Sequence, residues 1–222
     1  MSSSVRRLIA FDCDSTLSAI EGIDELARMR GPEVLRACER MTLEAMEGRI
    51  PLESIFSERL NIIRPSRGEM EEIGRRYIET VEPCAEEVVV ELKGRGWDLA
   101  ILSGGFQQAI EPLAAKLGIS RVTAVPLLFD EAGVFAGYDI QAPTARSGGK
   151  PEVLARWRKE LGLETLVMVG DGSSDLETQG TVDLFVGFGR YVCRDKVRDE
   201  AECFVCSLGA VPKLLKRFEV QE

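Results

Sequence analysis

The chain has 222 residues, of which 45% are hydrophobic and 29% charged; its net charge is −9 at pH 7, and its length allows one sizeable core or a core with a smaller insert. No run of basic residues is long enough to follow a phosphodiester backbone, which argues against nucleic-acid binding. The sequence contains no histidine, which excludes Ser-His-Asp hydrolases, phosphohistidine chemistry and histidine-based metal sites.

The first predicted element is a strand, Arg7–Phe11. Its apolar run is too short for a signal-peptide core or a membrane span, so a cytoplasmic location without membrane association is the default expectation. Two carboxylates, Asp12 and Asp14, follow this strand directly. Open α/β proteins bind ligands at the carboxyl ends of their strands, so this pair is the first candidate for a functional site.

The next stretch, residues 18–78, has helical periodicity interrupted by glycine and proline. The predicted helices are Ile23–Met29, Val34–Glu47, Leu52–Ile62 and Glu69–Tyr77. We interpret this stretch as a helical cap that would cover the catalytic edge of the sheet and exclude water from it. The predicted organisation is a core of residues 1–17 and 79–222 with a cap domain of residues 18–78.

After the cap, strands alternate with helices, a pattern typical of a mostly parallel sheet in an α/β fold. The further predicted strands are Asp98–Leu102, Arg121–Val125, Leu166–Val169, Leu184–Phe188 and Cys203–Val205. The helices predicted between and after them are Ala85–Gly94, Phe106–Leu117, Lys150–Leu161, Asp195–Ala201 and Ala210–Phe218. A hairpin is predicted around Asp130–Gly133.

Three later segments place polar residues near the predicted strand ends. Ser103–Gly105 leads from a strand into a predicted glycine turn, which offers a hydroxyl and backbone N–H groups to an anion. Lys150 stands at a helix start, and Pro151 suits the first helical turn. Asp171 and Asp175 follow another strand in a Gly-Asp-Gly context.

The six cysteines are scattered without disulfide-like spacing, which suits a reducing compartment. Cys203 and Cys206 form a Cys-x-x-Cys pair, but no second pair completes a zinc site, so a packed strand explains them better. None of the six is followed by arginine six positions later, which excludes the cysteine-based phosphatases.

Together these residues fit the requirements of a phosphate monoester dianion. Mg²⁺ held by Asp12 and Asp171, with Lys150, would offset the negative charge. Asp12 could then attack phosphorus, while Asp14 could protonate the leaving alkoxide and later deprotonate the hydrolytic water. Ser103 and its neighbouring N–H groups would complete the phosphoryl site.

Each motif alone has a simpler explanation. Asp-x-Asp, Ser-Gly-Gly and Gly-Asp-Gly are common in turns, and a lysine before proline usually lies at a solvated helix start. Their joint occurrence, in this order and each after an apolar strand, favours phosphoryl chemistry.

The order of these motifs resembles the haloacid dehalogenase superfamily and, within it, the phosphoserine phosphatases. The similarity runs from about residue 7 to the C-terminus and includes these more specific segments: Glu21–Ala27, Met41-Thr42 through Ala45-Met46, Ser57–Leu60, Leu102–Phe106 and Pro143–Lys150. The resemblance implies a Rossmann-like parallel-sheet core with an inserted all-helical cap. It implies Mg²⁺-dependent hydrolysis of O-phospho-L-serine to L-serine and phosphate, the last step of serine biosynthesis.

The resemblance also implies residue roles. Asp12 would be the nucleophile and Asp14 the acid/base. Mg²⁺ would lie on Asp12, the Asp14 carbonyl and Asp171, with Asp175 as support for the metal site or Lys150. Glu21 would meet the substrate ammonium and Arg59 its carboxylate, a suitable pairing for a zwitterion. The full set of implied substrate-binding residues is Glu21, Met46, Arg59, Ser103, Gly104, Gly105, Lys150 and Ser174.

Without the resemblance, Glu21 and Arg59 would be interpreted as an exposed glutamate and a solvated helix arginine, and Met46 as cap core. Two positions depart from the family pattern. Ile20 stands where a glutamate often precedes Glu21, and Glu47 stands where glycine often follows the methionine. Glu47 is expected to face away from the phosphate.

Three other functions are alternatives to phosphoserine hydrolysis. One is a related phosphatase or phosphotransferase acting on another small phosphomonoester, with homoserine as an example of an acceptor. A phosphorylation switch of the receiver type would need neither a cap nor Asp14, and a binding protein without catalysis would not need the full set of catalytic residues. The expected partner is a small phosphomonoester, and a homodimer is a further expectation.

Overall fold

The centre of the computed structural model, which describes residues 6–46, 50 and 52–219, is a six-stranded sheet. The strands of the chain are β1 (Arg7–Phe11), β2 (Trp97–Phe106), β3 (Arg121–Val125), β4 (Leu127–Phe129), β5 (Phe135–Tyr138), β6 (Thr165–Gly170), β7 (Leu184–Phe188) and β8 (Cys203–Val205). The large sheet has the order β3-β2-β1-β6-β7-β8, and every neighbouring pair is parallel. This confirms the predicted α/β fold class.

Strand order places the candidate site. The chain builds outwards from β1 to β3 and then crosses to β6 on the other side of β1. The strand order therefore reverses beside β1, and such a reversal leaves a crevice at the carboxyl ends of the strands.

The central strands are apolar because both faces of the sheet are covered. Alternate side chains of β1 point to opposite faces, so Ile9 and Phe11 join one buried cluster while Leu8 and Ala10 join another. All four residues have no exposed surface. This packing fixes the register of β1 and so the position of the carboxylates that follow it.

Ten α-helices are present in the described part of the chain. They are α1 (Gly22–Met29), α2 (Pro32–Met46), α3 (Leu52–Ile63), α4 (Arg67–Glu79), α5 (Ala85–Gly94), α6 (Gln107–Leu117), α7 (Gly149–Leu161), α8 (Ser173–Leu176), α9 (Asp195–Glu200) and α10 (Val211–Leu215). The predicted C-terminal helix is shorter than expected, because a 3-10 turn replaces it over Lys216–Phe218. The short helix α8 was not predicted.

The cap helices, which we define as α1 to α4, all lie between β1 and β2 in the chain. Helix α4 begins with a capping box formed by Ser66 and Glu69. It packs closely on α6: a Cβ added at Gly74 would lie 3.2 Å from the Ala109 carbonyl oxygen and from Pro112 Cγ. The division of the chain into a core and a cap domain at residues 18 and 78 stays a prediction.

A separate two-stranded antiparallel sheet, β4 with β5, forms the predicted hairpin. It contacts the cap helix α3, where Ser57 Oγ and Tyr138 Oη are 2.6 Å apart. The rings of Phe56 and Tyr138 pack edge to face with their centroids 5.1 Å apart. The hairpin therefore supports α3 from the side.

All six cysteines are free, as their spacing predicted. Cys13 lies fully buried in the larger apolar cluster, beside β1. None of the described helices combines the length and the apolar character needed to cross a bilayer.

Candidate active site

The candidate nucleophile, Asp12, directly follows β1 and is 8% exposed. Its Oδ1 accepts a hydrogen bond of 2.7 Å from the Cys13 backbone N–H, and its Oδ2 lies 3.0 Å from Lys150 Nζ. The carboxylate is therefore oriented by the backbone turn that follows the strand and by one buried cation. That turn, Cys13–Leu17, includes Ser15 at a φ of +51°, which is uncommon outside glycine.

Lys150 links the carboxylates of two different segments. Its ammonium group is 3.0 Å from Asp12 and 2.5 Å from Asp175 Oδ1, and the side chain is only 3% exposed. Burial alone would lower the pKa of Lys150, but the charges of Asp12 and Asp175 outweigh it and raise that pKa. The ammonium is therefore charged throughout the physiological range.

The candidate acid/base, Asp14, has a more strongly perturbed environment. Its Oδ1 accepts hydrogen bonds of 2.6 Å from the Gly22 backbone N–H and 2.6 Å from the Tyr77 hydroxyl. Desolvation, with the nearby charges of Glu21 and Asp12, raises the pKa of Asp14 to about 7 despite these hydrogen bonds. A carboxyl group with this pKa can both donate and accept a proton near neutral pH. Burial and the Asp14 charge raise the pKa of Tyr77, so its hydroxyl stays a donor.

Ser103 and the two glycines after it form the wall opposite Asp14. Ser103 Oγ lies 3.4 Å from Asp14 Oδ2 and accepts a hydrogen bond of 3.0 Å from the Gly105 N–H. A Cβ at Gly105 would lie 2.4 Å from Asp14 Oδ2, so this close approach requires glycine. The predicted turn at this segment is wrong, because β2 continues to Phe106 with a shifted register against β3.

Asp171, 2% exposed, follows β6 on the other side of β1. Its Oδ1 accepts a hydrogen bond of 3.1 Å from Thr16 Oγ1, and its Oδ2 lies 3.3 Å from Arg194 Nε. Burial and the charge of Glu21 raise the pKa of Asp171 well above its usual value, although Arg194 opposes this.

Three carboxylates could hold a cation here. Oxygen atoms of Asp12, Asp171 and Asp175 lie within 4.8 Å of one another, and all three residues are buried. Hard oxygen donors crowded in a buried acidic site fit a small divalent cation, which would relieve their mutual repulsion. All three carboxylates have partners, but Asp12 and Asp171 line the pocket, whereas Asp175 lies outside that lining and accepts hydrogen bonds from Lys150 and the Gly172 N–H.

Opposite charges line the side of the pocket nearest the cap helices. Glu21 accepts a hydrogen bond of 2.7 Å from Ser15 Oγ, and its Oε1 lies 3.6 Å from Arg194 Nη2. Arg59, 6% exposed on α3, donates a hydrogen bond of 2.8 Å from Nη1 to Thr42 Oγ1. Within the described part of the chain, Arg59 Nε is buried without a hydrogen-bond partner.

Comparison with known proteins identifies the family. The haloacid dehalogenase-like hydrolase model matches residues 9–178. Phosphoserine phosphatase of Bos taurus is 38% identical over 199 residues, covering 89% of this chain and 88% of the relative. Phosphoserine phosphatase of Methanocaldococcus jannaschii is 35% identical over 185 residues, covering 82% and 85%. The chain belongs to the phosphoserine phosphatase family of haloacid dehalogenase-like hydrolases.

Solved structures agree with this membership. A phosphoserine phosphatase described as a phospho-aspartyl intermediate analogue has a TM-score of 0.82 at 30% identity, covering 95% of this chain and 99% of that one. A substrate-bound phosphoserine phosphatase complex has a TM-score of 0.82 at 28% identity, covering 96% and 99%. The family fold is therefore present across nearly the whole chain.

The predicted site residues of this phosphoserine phosphatase family member largely converge. Those that line one pocket are Asp12, Asp14, Glu21, Arg59, Ser103, Gly104, Gly105, Lys150, Asp171 and Ser174. Asp175 lies behind Lys150. Glu47 and the side chain of Met46 lie outside the described residues. Ile20 is half-buried and packs against the larger apolar cluster.

Among the residues that contact the predicted site, the sequence did not predict Tyr77, Thr42 or Arg194. Tyr77 and Arg194 belong to no motif that the sequence offers. Thr42 lies in a quoted cap segment, but nothing in that segment indicated that its hydroxyl would contact Arg59. These contacts arise only when separate elements pack together.

Proposed function

We propose that this chain is a phosphoserine phosphatase that hydrolyses O-phospho-L-serine to L-serine and phosphate. The proposal rests on two pairs of charged residues in one pocket. The Asp12 carboxylate lies 3.0 Å from the buried Lys150 ammonium, which suits attack on phosphorus. Glu21 and the buried Arg59 line the same pocket and suit the two charges of an amino acid.

In this mechanism Asp12 attacks the phosphorus atom and an aspartyl phosphate forms as the bond to the seryl oxygen breaks. Asp14 gives its proton to the departing oxygen. It then takes a proton from the water that attacks the intermediate, which regenerates Asp12 and releases phosphate. Lys150, Ser103 and the Gly104 N–H hold the phosphoryl oxygens, and Gly105, whose N–H donates to Ser103 Oγ, keeps that hydroxyl in place.

We further propose that Mg²⁺ is the cofactor. Asp12, Asp171 and the backbone carbonyl of Asp14 would hold it, while Asp175 keeps Lys150 in place. The ion, when bound, supplies positive charge that offsets the repulsion between the nucleophile and the phosphoryl group.

We propose that Glu21 binds the ammonium group of the substrate and that Arg59 binds its carboxylate. The Arg59 guanidinium can hold that carboxylate with two parallel hydrogen bonds. Ser174 is assigned to the phosphoryl side of the pocket and Met46 to the cover over the substrate. Both assignments follow the family resemblance.

The test of the proposed function is phosphate release from L-phosphoserine with Mg²⁺ and its loss after EDTA.

Arg59→Met is expected to lower kcat/KM for phosphoserine by roughly 10- to 200-fold, the range for losing hydrogen bonds between charged groups. Phosphoethanolamine lacks the carboxylate, so its kcat/KM should change little. Arg36→Met, on an exposed position of α2, is the control. An equal loss with both substrates would contradict the assignment of Arg59.

Replacing the acid should change the pH dependence. Because the pKa of Asp14 is about 7 and the leaving group needs its proton, kcat/KM should fall as pH rises through that value. Asp14→Asn should lose about 10²- to 10⁴-fold in kcat with phosphoserine and lose this alkaline limb. The measurement is a pH profile of both proteins, and an unchanged profile in Asp14→Asn would reject the acid/base role.

We also propose that the protein is cytoplasmic and forms a homodimer. We propose two domains: a core of residues 1–17 and 79–222, and a cap of residues 18–78. The free cysteines support a reducing compartment. One relative, from Arabidopsis thaliana, is a chloroplastic phosphoserine phosphatase, so a chloroplast location occurs within the family.

A further inference from the structure

Tyr77 is a buried polar residue to which the mechanism above gives no task. It lies on α4, has no exposed surface, and its ring belongs to the larger apolar cluster. Within the described part of the chain, the Asp14 carboxylate is the hydrogen-bond partner of its hydroxyl, at 2.6 Å. A tyrosine that only filled the core would not need this hydroxyl, and phenylalanine would pack there without a polar group to satisfy.

The space around this hydrogen bond depends on glycine. A Cβ added at Gly22 would lie 2.2 Å from the Tyr77 hydroxyl oxygen. Because residue 22 has no side chain, its backbone N–H and the Tyr77 hydroxyl both reach the same atom, Asp14 Oδ1, at 2.6 Å. Two donors from two cap helices therefore fix one oxygen of a carboxylate that belongs to the core.

The other oxygen, Oδ2, has different surroundings. It accepts one long hydrogen bond, of 3.4 Å, from Ser103 Oγ and faces the backbone of Gly105, both of which line the pocket. Because Oδ1 accepts two short hydrogen bonds and Oδ2 only this long one, from a hydroxyl that can also accept, Oδ2 is the atom better placed to carry a proton. The direction of the carboxyl plane, and so the position of that proton, depends on the two donors.

We propose that Tyr77 is a positioning residue for Asp14, which it holds so that protons are exchanged at Oδ2. This inference rests on the proposed function. The proton on Oδ2 passes to the seryl oxygen as that oxygen's bond to phosphorus breaks. In the second half-reaction the attacking water gives a proton back to Oδ2 as its oxygen bonds to phosphorus and the bond between Asp12 and phosphorus breaks.

The test is a double-mutant cycle on the full chain with L-phosphoserine and Mg²⁺. Tyr77→Phe keeps the ring and removes only the hydroxyl. We expect kcat to fall by roughly 10- to 100-fold, the scale for a misplaced catalytic group, with KM changed by less than about threefold. In the Asp14→Asn background the same substitution should cause no further loss, because Tyr77 acts only through Asp14.

Two variants complete the design. Tyr138→Phe removes a tyrosine hydroxyl that is hydrogen-bonded to Ser57 at a half-buried position, and this control should leave kcat unchanged. Gly22→Ala should displace the Tyr77 hydroxyl and give a kcat loss that likewise disappears in the Asp14→Asn background. Gly22→Ala therefore tests the same inference if Tyr77→Phe does not fold. Thermal unfolding of each variant shows whether it folds.

Equal losses in the wild-type and Asp14→Asn backgrounds would mean that Tyr77 is merely structural, and would overturn the inference. A wild-type kcat in Tyr77→Phe would do the same. If the wild-type chain itself releases no phosphate from L-phosphoserine, the proposed function fails first and this inference with it. The two failures are therefore distinguishable.

Discussion

Replacing Asp12 with asparagine is expected to reduce phosphate release from L-phosphoserine by about 10⁴-fold or more, the scale for losing a nucleophile. The amide cannot form the aspartyl phosphate, and it also removes one of the two charges that face Lys150. The decisive measurement is an acid quench during turnover with ³²P-labelled phosphoserine. The wild-type protein should carry label on Asp12, and the variant should carry none.

The control for this substitution is Asp98→Asn. Asp98 is exposed in the first half of β2, away from the carboxyl edge, so its replacement should change neither turnover nor labelling. Normal turnover by the wild-type chain without label on residue 12 at any quench time would contradict covalent catalysis. The overall hydrolysis could then still occur, but by direct attack of water.

Replacing Lys150 with methionine is expected to have the largest effect on stability. Methionine preserves most of the aliphatic stem, but it leaves Asp12 and Asp175 as buried carboxylates without their shared cation. Breaking a buried ion pair from one side costs about 3–5 kcal/mol. At about 2–4 °C per kcal/mol for a chain of this size, Tm should fall by roughly 6–20 °C.

The pH dependence of this defect follows from Asp175. Desolvation and the charge of Asp12 already raise its pKa to about 7, above the value in the unfolded chain, and loss of the cation raises it further. A carboxyl group with a raised folded-state pKa destabilises the fold as pH rises through that value. The deficit of Lys150→Met should therefore be smaller at about pH 6 than at about pH 8.

Thermal unfolding without divalent metal, at both pH values, measures this effect. Lys159→Met is the matched control, because it removes a lysine from the exposed side of the same helix, α7. A Tm for Lys150→Met within about 2 °C of the wild type would show that the two carboxylates do not depend on Lys150 for their burial.

The sequence was sufficient for the central sheet and for the carboxylates that follow it. Strands such as β1 and β7 are short apolar runs with clear polar or glycine ends, so their bounds could be predicted within a residue. Asp12 and Asp171 meet because neighbouring parallel strands end at the same edge of the sheet.

Other features depend on packing that a linear pattern does not contain. The glycines after Ser103 suggested a turn, but β2 continues through that segment to Phe106, which pairs with Val125 of β3 after a shift in register. Helix α8 has four residues, too few to show a helical period. Tyr77 reaches Asp14 from 63 positions away in the chain, and its apolar neighbours in α4 are those of any core helix.

Close packing between α4 and α6 has a consequence for how the enzyme is prepared to react. Gly74 brings α4 against the backbone of the helix that directly follows the Ser103 segment. We therefore expect the Tyr77 donor to keep its position relative to the Ser103 segment when substrate binds. Asp14 would then already be aimed before substrate binds, and binding would need to order only the groups that recognise the substrate.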